Sequence, residues 1–404
     1  MKGGIYMAIF YGLKRITCVG LLCVMLCVNL VADIGVFYAK EQISMYSGSY
    51  ALMDATTGRV LKGKEETSPM ANASTTKILT CIVTLENCNL EETVEISSYA
   101  ASQPRVKMGL QEGEKYALKE LIYGLMLESY NDCAVAIAEY VAGSTDEFAK
   151  MLNEKAKEIG CKDTYFITPN GLDAEDENGF HHTTAEDLCR IMAYCTWDSP
   201  QKDTFLQITQ TRNYASFVNR NAFLNQMDGV LTGKTGFTNK AGYCYVAALE
   251  SNGERYCIAL LACGWPNNKN YKWQDARTLF EYGMETYDNK QVILKKLTEE
   301  IKVNGYVGEP MFSEINQNGS LSLYIEKKEY QLLMAEKDKV STELIFYTDT
   351  ELPIKKGQVM GECNLYLEDI LIDSIPLFAS ENVNIWGKKA VLYTIFYQFL
   401  TFSL

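Results

Sequence analysis

The stretch Ala73-Ser74-Thr75-Thr76-Lys77 stands at the head of an apolar run that continues from Ile78 to Leu85. The apolar residues recur at helical spacing, so the stretch predicts the first turn of a buried helix. Residues three positions apart share one face of a helix, which brings the Lys77 amine within reach of the Ser74 hydroxyl. A serine beside an amine at a helix N-terminus is one way to build an activated nucleophile.

Two further motifs follow in a suitable order. Ser129-Tyr130-Asn131 lies at the junction of two predicted helices, where irregular backbone can present both polar side chains. Lys234-Thr235-Gly236 lies on a predicted strand, where the glycine leaves room for a peptide backbone and the lysine supplies a positive charge. Together they offer a proton path and a site for an anionic substrate.

Each motif also has an ordinary structural interpretation. Ser199 and Lys202 repeat the serine–lysine spacing, and Ser380-Glu381-Asn382 repeats the second motif. A capping turn or a solvated strand lysine would explain the other patterns. Only Ser74 is followed by both motifs in order, each on a suitable element, and this combination favours a catalytic site.

The order of elements predicts an α+β fold. Residues 49–61 form a predicted hairpin, a mostly helical block runs from Ser74 to about Trp197, and strands return after Gln226. A helix over Asp275 to Met284 packs behind them. We therefore predict a domain over residues 45–288 with a mostly antiparallel sheet, helices on both faces and a helical subdomain.

Short alternating strands after this domain predict a small all-β domain over residues 289–380. Residues 385–404 are predicted to form a membrane-associated helix. Within them the mostly apolar run from Ala390 to Leu404 follows Trp386, Lys388 and Lys389, which is typical of a helix lying in a membrane interface. A terminal helix packed on the protein is the alternative.

Residues 1–39 predict export. Lys2, Lys14 and Arg15 precede an apolar run from Ile16 to Val31, as in a secretory signal peptide. An uncleaved N-terminal anchor is the alternative. Either interpretation places the body of the protein at the outer face of the cytoplasmic membrane or in the cell wall.

Composition excludes several classes of function. The chain has 404 residues, and a net charge of −13 excludes nucleic acid as a partner because no basic stretch could neutralise phosphates. The 13 cysteines contain no CxxC pair, so most of them are predicted to be small buried apolar residues. His181 and His182 are adjacent, which excludes a zinc helix with histidines four apart and favours a structural role over a Ser-His-Asp triad. No cofactor or metal is predicted.

The three motifs resemble those of penicillin-binding proteins and serine β-lactamases. Longer stretches narrow the resemblance to low-molecular-mass D-alanyl-D-alanine carboxypeptidases, the S11 serine peptidases. These stretches are Ser129 to Glu139, Thr168 to Asp173 with His182 to Leu188, and Gly233 to Tyr243. The resemblance covers about Ser49 to Met284. It implies a β-lactamase/transpeptidase-like fold, β-lactam antibiotics as inhibitors, and as substrate a peptidoglycan pentapeptide ending in D-Ala-D-Ala.

The resemblance also implies a role for each motif residue. Ser74 is the nucleophile, Lys77 takes its proton, and Ser129 relays a proton to the departing D-alanine. The remaining motif residues contribute to substrate binding through a side chain, through a backbone group or by leaving room for the substrate. They are Asn131, Lys234, Thr235, Gly236 and Phe237. Relatives carry an arginine before the last helix of the catalytic domain, and Lys272 stands in that place. Lysine cannot form the bidentate fork of arginine.

Two alternatives belong to other functional classes. A class A β-lactamase needs a deacylating glutamate four residues before an asparagine, and neither Glu175 nor Glu177 has that neighbour. A non-catalytic wall-binding protein would not need Ser74 and Lys77 intact. A β-lactam sensor would be expected to carry a multi-span or signalling segment, of which the sequence shows no sign.

Overall fold

The computed structural model describes residues 43–294, 298–303, 306–307, 319–347 and 352–384. The described residues from Tyr46 onward belong to one compact unit. The predicted leader, residues 1–39, and the predicted C-terminal helix, residues 385–404, lie outside these ranges. None of the helices within them is long and apolar enough to cross a membrane.

The helices fall mainly between the first strands and the last. They are α1 (Lys77–Asn87), α2 (Ser98–Ala101), α3 (Leu118–Tyr123), α4 (Asn131–Ala142), α5 (Thr145–Ile159), α6 (Ala185–Ala193), α7 (Lys202–Gln210) and α8 (Tyr271–Thr286). Short 3₁₀ or π turns adjoin α1, α3 and α6, and they cover Ala73–Thr76, Gly124–Glu128 and Tyr194–Asp198. Two separate 3₁₀ turns cover Ala222–Asn225 and Pro266–Asn268.

The strands form separate sheets in the first and last parts of the chain. The first part holds β1 (Ser49–Asp54), β2 (Arg59–Lys64), β3 (Thr93–Glu95), β4 (Lys115–Ala117), β5 (Glu175–Asp176), β6 (Gly179–Phe180), β7 (Asn213–Tyr214), β8 (Phe217–Val218), β9 (Val230–Thr238), β10 (Gly242–Ser251) and β11 (Glu254–Leu261). The last part holds β12 (Asp288–Leu294), β13 (Thr298–Val303), β14 (Tyr306–Val307), β15 (Gly319–Tyr324), β16 (Lys328–Met334), β17 (Val340–Phe346), β18 (Val359–Leu367), β19 (Ile370–Ala379) and β20 (Val383–Asn384).

A five-stranded antiparallel sheet is the frame of the first part, in the order β2-β1-β11-β10-β9. Helices cover both faces of this sheet, as the contacts of neighbouring residues of β1 show. Ala51 and Met53 join the core with α1 and α6, whereas a Cβ on Gly283 of α8 would meet Leu52 at 3.2 Å. The strand is therefore buried along its whole length, as its apolar sequence predicts.

Local sequence signals set where the helices begin and end. Ser144 caps α5 by accepting a hydrogen bond from the Glu147 N–H at 3.1 Å, and the helix ends at Gly160 in the left-handed conformation. Thr184 caps α6 in the same way. The segment from Leu90 to Lys107, whose polar composition predicts irregular structure, instead contains the short strand β3, which pairs with β4, and the one-turn helix α2.

A second five-stranded sheet, ordered β13-β15-β19-β18-β17, forms the last part of the described chain. Its inner face packs around a small apolar core that includes Leu323, Cys363 and Leu377. This all-β region after a mixed helical and antiparallel region confirms the predicted α+β fold class.

A buried ion pair joins the central sheet to the turn that leads into β17 of the second sheet. The Arg59 guanidinium of β2 lies 2.8 Å from the Asp338 carboxylate and donates to the Leu333 carbonyl at 2.7 Å. Both charged side chains are less than a tenth exposed. The guanidinium also lies over the ring of Tyr287, at 5.5 Å from the ring centroid.

Candidate active site

Ser74 lies on the 3₁₀ turn that leads into α1, and Lys77 is the first residue of that helix. The Lys77 ammonium nitrogen donates to Ser74 Oγ at 2.7 Å, Asn131 Oδ1 at 3.0 Å and the Asn170 carbonyl at 2.7 Å. These three acceptors match the three protons of a charged amine. When the amine is neutral, the Ser74 hydroxyl can donate to it instead, which is the first step in activating that hydroxyl.

The surroundings of Lys77 favour the neutral amine. Burial holds the pKa of Lys77 well below its usual value, and the nearby charge of Lys234 lowers it further. Lys77 is fully buried on α1, between the central sheet and the helical subdomain. A lysine with a depressed pKa can act as a base near neutral pH.

Ser129 ends the π turn that follows α3 and adopts the left-handed conformation, with φ of 66°. Its hydroxyl accepts a hydrogen bond of 2.8 Å from the Lys234 ammonium on β9. Burial lowers the pKa of Lys234 to about 7. Asn131, the first residue of α4, completes this motif: its Oδ1 contacts Lys77, and its amide donates to the Pro104 carbonyl at 3.3 Å.

The strand β9 lies at the edge of the central sheet, directly beside the serine. A Cβ on Gly236 would lie 3.0 Å from the Ser74 backbone nitrogen and 2.9 Å from the Asn72 carbonyl. Only glycine therefore allows this approach of the strand to the turn. Thr235, Gly236 and Phe237 line a cleft of about 320 Å³ together with Ser74, Ser129 and Asn131.

A second glycine brings the other wall of the cleft to the turn. Gly171 has φ of 78°, and a Cβ there would overlap the Ala73 carbonyl oxygen at 1.9 Å. Its neighbour Asn170 supplies the carbonyl that contacts Lys77. The segment that contains Asn170 and Gly171 therefore packs directly against the turn that carries Ser74.

Comparison with known proteins identifies the family. The model of the D-alanyl-D-alanine carboxypeptidase family (peptidase S11) matches residues 37–262, more than half of the chain. This chain belongs to the S11 family. A second model, for the C-terminal domain of penicillin-binding protein 5, matches residues 315–384.

Individual S11 relatives align over most of the chain. It is 28% identical to the D-alanyl-D-alanine carboxypeptidase DacF of Bacillus subtilis (strain 168), covering 88% of this chain and 89% of that protein. It is 29% identical to DacD of Salmonella typhimurium, covering 91% and 94%. The crystal structure of DacD from Francisella tularensis superposes with a TM-score of 0.64 at 22% identity, covers 88% of this chain and 98% of that one, and shows a shared fold.

These findings confirm the resemblance read from the three motifs. This S11 chain is a serine-type carboxypeptidase and a low-molecular-mass penicillin-binding protein with a function in the cell wall. The match to the C-terminal domain of penicillin-binding protein 5 agrees with the second antiparallel sheet.

Lys272, predicted from the sequence to replace an arginine of the family, lies on α8 and lines the cleft. Its ammonium nitrogen lies 4.5 Å from the ring centroid of Tyr243 and 4.6 Å from that of Trp273, and it donates to the Lys269 carbonyl. Burial lowers its pKa to about 8. The structure therefore places a cation here, but as a single charge held between two aromatic rings.

Several residues of the cleft were missed from the sequence. The missed lining residues include Arg105, Val106, Leu172, Arg220, Thr238, Tyr243 and Trp273. Arg220 is held by Glu128, the residue before Ser129, through N–O contacts of 2.7 Å. The pair is separated by 92 positions, so no local pattern signals it.

His181 has a structural role next to the turn that carries Ser74. Its Nδ1 accepts hydrogen bonds from the backbone N–H groups of Ile167 at 3.0 Å and Thr168 at 3.3 Å, so Nε2 carries the proton and donates to Thr76 Oγ1 at 2.9 Å. Burial lowers the pKa of His181 to about 3. The neutral ring joins the Ser74 turn to the 165–183 segment. In the described residues no group of three or more His, Cys, Asp or Glu side chains could hold a metal.

Proposed function

We propose that this S11 peptidase removes the terminal D-alanine from peptidoglycan stem peptides through an acyl-enzyme on Ser74. The observation that carries the proposal is the 2.7 Å contact between Ser74 Oγ and a fully buried Lys77 amine whose pKa is strongly depressed. The open edge of β9 beside this pair offers main-chain hydrogen bonds to an extended peptide.

Acylation begins at Ser74. Its Oγ attacks the carbonyl carbon of the penultimate D-alanine while its proton passes to the neutral Lys77 amine. The backbone N–H groups of Ser74 and Phe237 receive the developing oxyanion, since β9 runs against the Ser74 nitrogen at Gly236. The C–N bond then breaks, and the departing D-alanine amine takes a proton through Ser129.

Binding of the substrate uses the cations of the cleft. Lys234 and Thr235 engage the terminal carboxylate, and Lys272, which lines the cleft together with Thr235, adds a further positive charge. Asn131 binds the substrate amide and orients Lys77, to which it lies 3.0 Å away. After D-alanine leaves, water activated near Ser129 attacks the ester, its proton returns to Ser74, and the shortened peptide is released.

A class A β-lactamase mechanism has no support in the geometry. The Asn170 group that approaches Lys77 is a backbone carbonyl, and among the described contacts neither Ser74 nor Lys77 is hydrogen-bonded to a carboxylate. Glu175 and Glu177 are exposed. Without a carboxylate base for water, a penicillin adduct is expected to be long-lived.

The test combines labelling and turnover. Wild type should form a covalent adduct with fluorescent penicillin and release D-alanine from a peptide ending in D-Ala-D-Ala. Ser74→Ala should lose both activities by more than about 10³-fold, because the nucleophile is absent. Ser199→Ala, which removes the serine of the repeated spacing, should retain both. Labelling that survives Ser74→Ala contradicts the nucleophile assignment, and labelling without D-alanine release favours a sensor.

Location and domain roles are part of the same proposal. We propose that residues 1–39 direct export and that residues 385–404 hold the enzyme at the outer surface of the cytoplasmic membrane. Residues 45–288 are proposed as the catalytic domain and residues 289–380 as the small β domain. The separate sheets before and after β12 support this division. Fractionation of the full chain, with and without residues 385–404, tests the membrane assignment.

A further inference from the structure

Trp265 presents an exposed ring at one end of the cleft. The residue is 46% exposed, and its indole N–H donates to the Asn239 carbonyl at 3.0 Å. A Cβ on Gly242 would lie 3.2 Å from the indole, so the ring rests against the turn between β9 and β10. Its polar atom is therefore satisfied while much of its apolar surface remains open to solvent.

This ring continues the aromatic lining of the cleft. Phe237, which is 37% exposed, lies 4.7 Å from Tyr243 between ring centroids. Thr238, the last residue of β9, lines the cleft and pairs with Gly242, against which Trp265 packs. Trp265 thus stands just beyond the last cleft residue of the edge strand.

The direction of the substrate follows from the proposed function, on which this inference rests. The terminal carboxylate lies at Thr235, and the reacting carbonyl lies at Ser74, next to Gly236. The peptide upstream of that carbonyl therefore continues past Phe237 toward the turn. A strand advances about 3.3 Å per residue, so Gly236 to Asn239 spans about 10 Å, roughly the length of the part of a pentapeptide stem that precedes its two D-alanines. The end of the stem peptide that carries the sugar therefore lies at the turn between β9 and β10.

We propose that Trp265 binds the sugar unit to which the stem peptide is attached, by stacking the indole on the apolar C–H face of the pyranose ring. The electron-rich face of an indole attracts the weakly positive C–H hydrogens, and covering it removes apolar surface from water. A rigid exposed tryptophan loses little freedom on binding, which is why such residues dominate many binding sites. The enzyme therefore prefers stem peptides that are still joined to the glycan.

The test compares two substrates that share the same reacting end. One is a free pentapeptide ending in D-Ala-D-Ala, and the other is the same pentapeptide on a disaccharide. Trp265→Ala should raise KM for the disaccharide peptide about fivefold to tenfold, leave its kcat unchanged, and leave both constants for the free peptide unchanged. Trp265→Phe, which keeps a smaller ring, should fall between wild type and Trp265→Ala.

A matched control is Tyr140→Ala, which removes an exposed aromatic side chain from α4 that contacts Glu92 instead of the cleft. It should leave both substrates unaffected, and an unchanged rate of penicillin acylation shows that each variant is folded. Equal changes for both substrates in Trp265→Ala, or no change in either, would overturn the proposal.

Binding measured without turnover separates this inference from the proposed function. In a Ser74→Ala background, calorimetric titration with the two ligands should show weaker binding of the disaccharide peptide when Trp265 is also replaced. That result supports the sugar site even if wild type releases no D-alanine, an outcome that would count against the proposed function alone. Unchanged affinity in the double variant would count against the sugar site alone.

Discussion

At the scale of single residues, the two buried lysines have opposite requirements. In the proposed mechanism Lys77 must be neutral to accept the Ser74 proton, whereas Lys234 must be charged to bind a carboxylate. Burial lowers the pKa of both lysines, and the charge of Lys234 lowers the pKa of Lys77 further. The active form of the free enzyme is therefore the one with a neutral Lys77 and a charged Lys234.

This arrangement predicts the pH dependence of kcat/KM. Activity should be lost at low pH, where Lys77 is protonated, and on the basic side it should fall as Lys234, with a pKa of about 7, loses its charge. Lys234→Arg should lower activity but remove the basic limb, because arginine stays charged. D-alanine release measured from pH 5 to 10 checks this. If Lys272→Met removes the basic limb and Lys234→Arg does not, the assignment to Lys234 is wrong.

At the scale of elements, His181 stabilises the turn that carries Ser74 through its hydrogen bond to Thr76. Its pKa of about 3 lies below the value of about 6.5 in an unfolded chain, so the unfolded state binds the proton first as pH falls. The stability supplied by the neutral ring is complete above about pH 6.5 and is lost progressively toward pH 3. Between pH 8 and pH 5 the free energy of unfolding should therefore decrease by about 2 kcal/mol.

Urea unfolding at several pH values tests this linkage. His181→Gln should lack this part of the pH dependence, whereas His182→Gln, which changes the neighbouring ring, should keep it. A wild type and a His181→Gln protein with parallel stability curves between pH 8 and pH 5 would contradict the prediction.

The elements were predicted where local sequence determines them. The hairpin of β10 and β11 follows from two apolar runs around Asn252-Gly253, and Asn252 has the positive φ that such a turn requires. The pairing of β1 with β11 could not be predicted, since the register of Ser49 with Leu261 joins residues with no shared local pattern. The same limit applies to the site: three short motifs identified its centre, but Arg220 reaches it through a contact between distant residues.

At the scale of the whole molecule, the Arg59–Asp338 pair holds the two sheets together. Removing one partner leaves a buried charge without compensation, which typically costs about 3 to 5 kcal/mol. Arg59→Met should therefore lower the free energy of unfolding by about 3 kcal/mol, and Arg59→Met with Asp338→Leu should recover most of it. Lys115→Met, which breaks an exposed pair with Glu95, should cost less than about 1 kcal/mol.

Activity provides the control for these variants. Arg59 lies on β2, four strands from β9, a separation of about 19 Å across the sheet. Penicillin labelling at 25 °C should therefore be unchanged in Arg59→Met. A stability equal to wild type, or a double variant no more stable than Arg59→Met, would show that the pair does not hold the sheets together.

The open edge of β9 has a consequence for solubility. An unpaired strand edge is a template for another chain, and proteins protect such edges with charged residues that point inward. Lys234 stands in the middle of this edge strand and is already fully buried, with its ammonium group hydrogen-bonded to Ser129. A strand from a neighbouring molecule that paired there would bring no carboxylate to this cation, whereas a substrate brings one. We therefore expect the edge to favour peptides that end in a carboxylate over strands of neighbouring molecules, and aggregation through it to be limited for that reason.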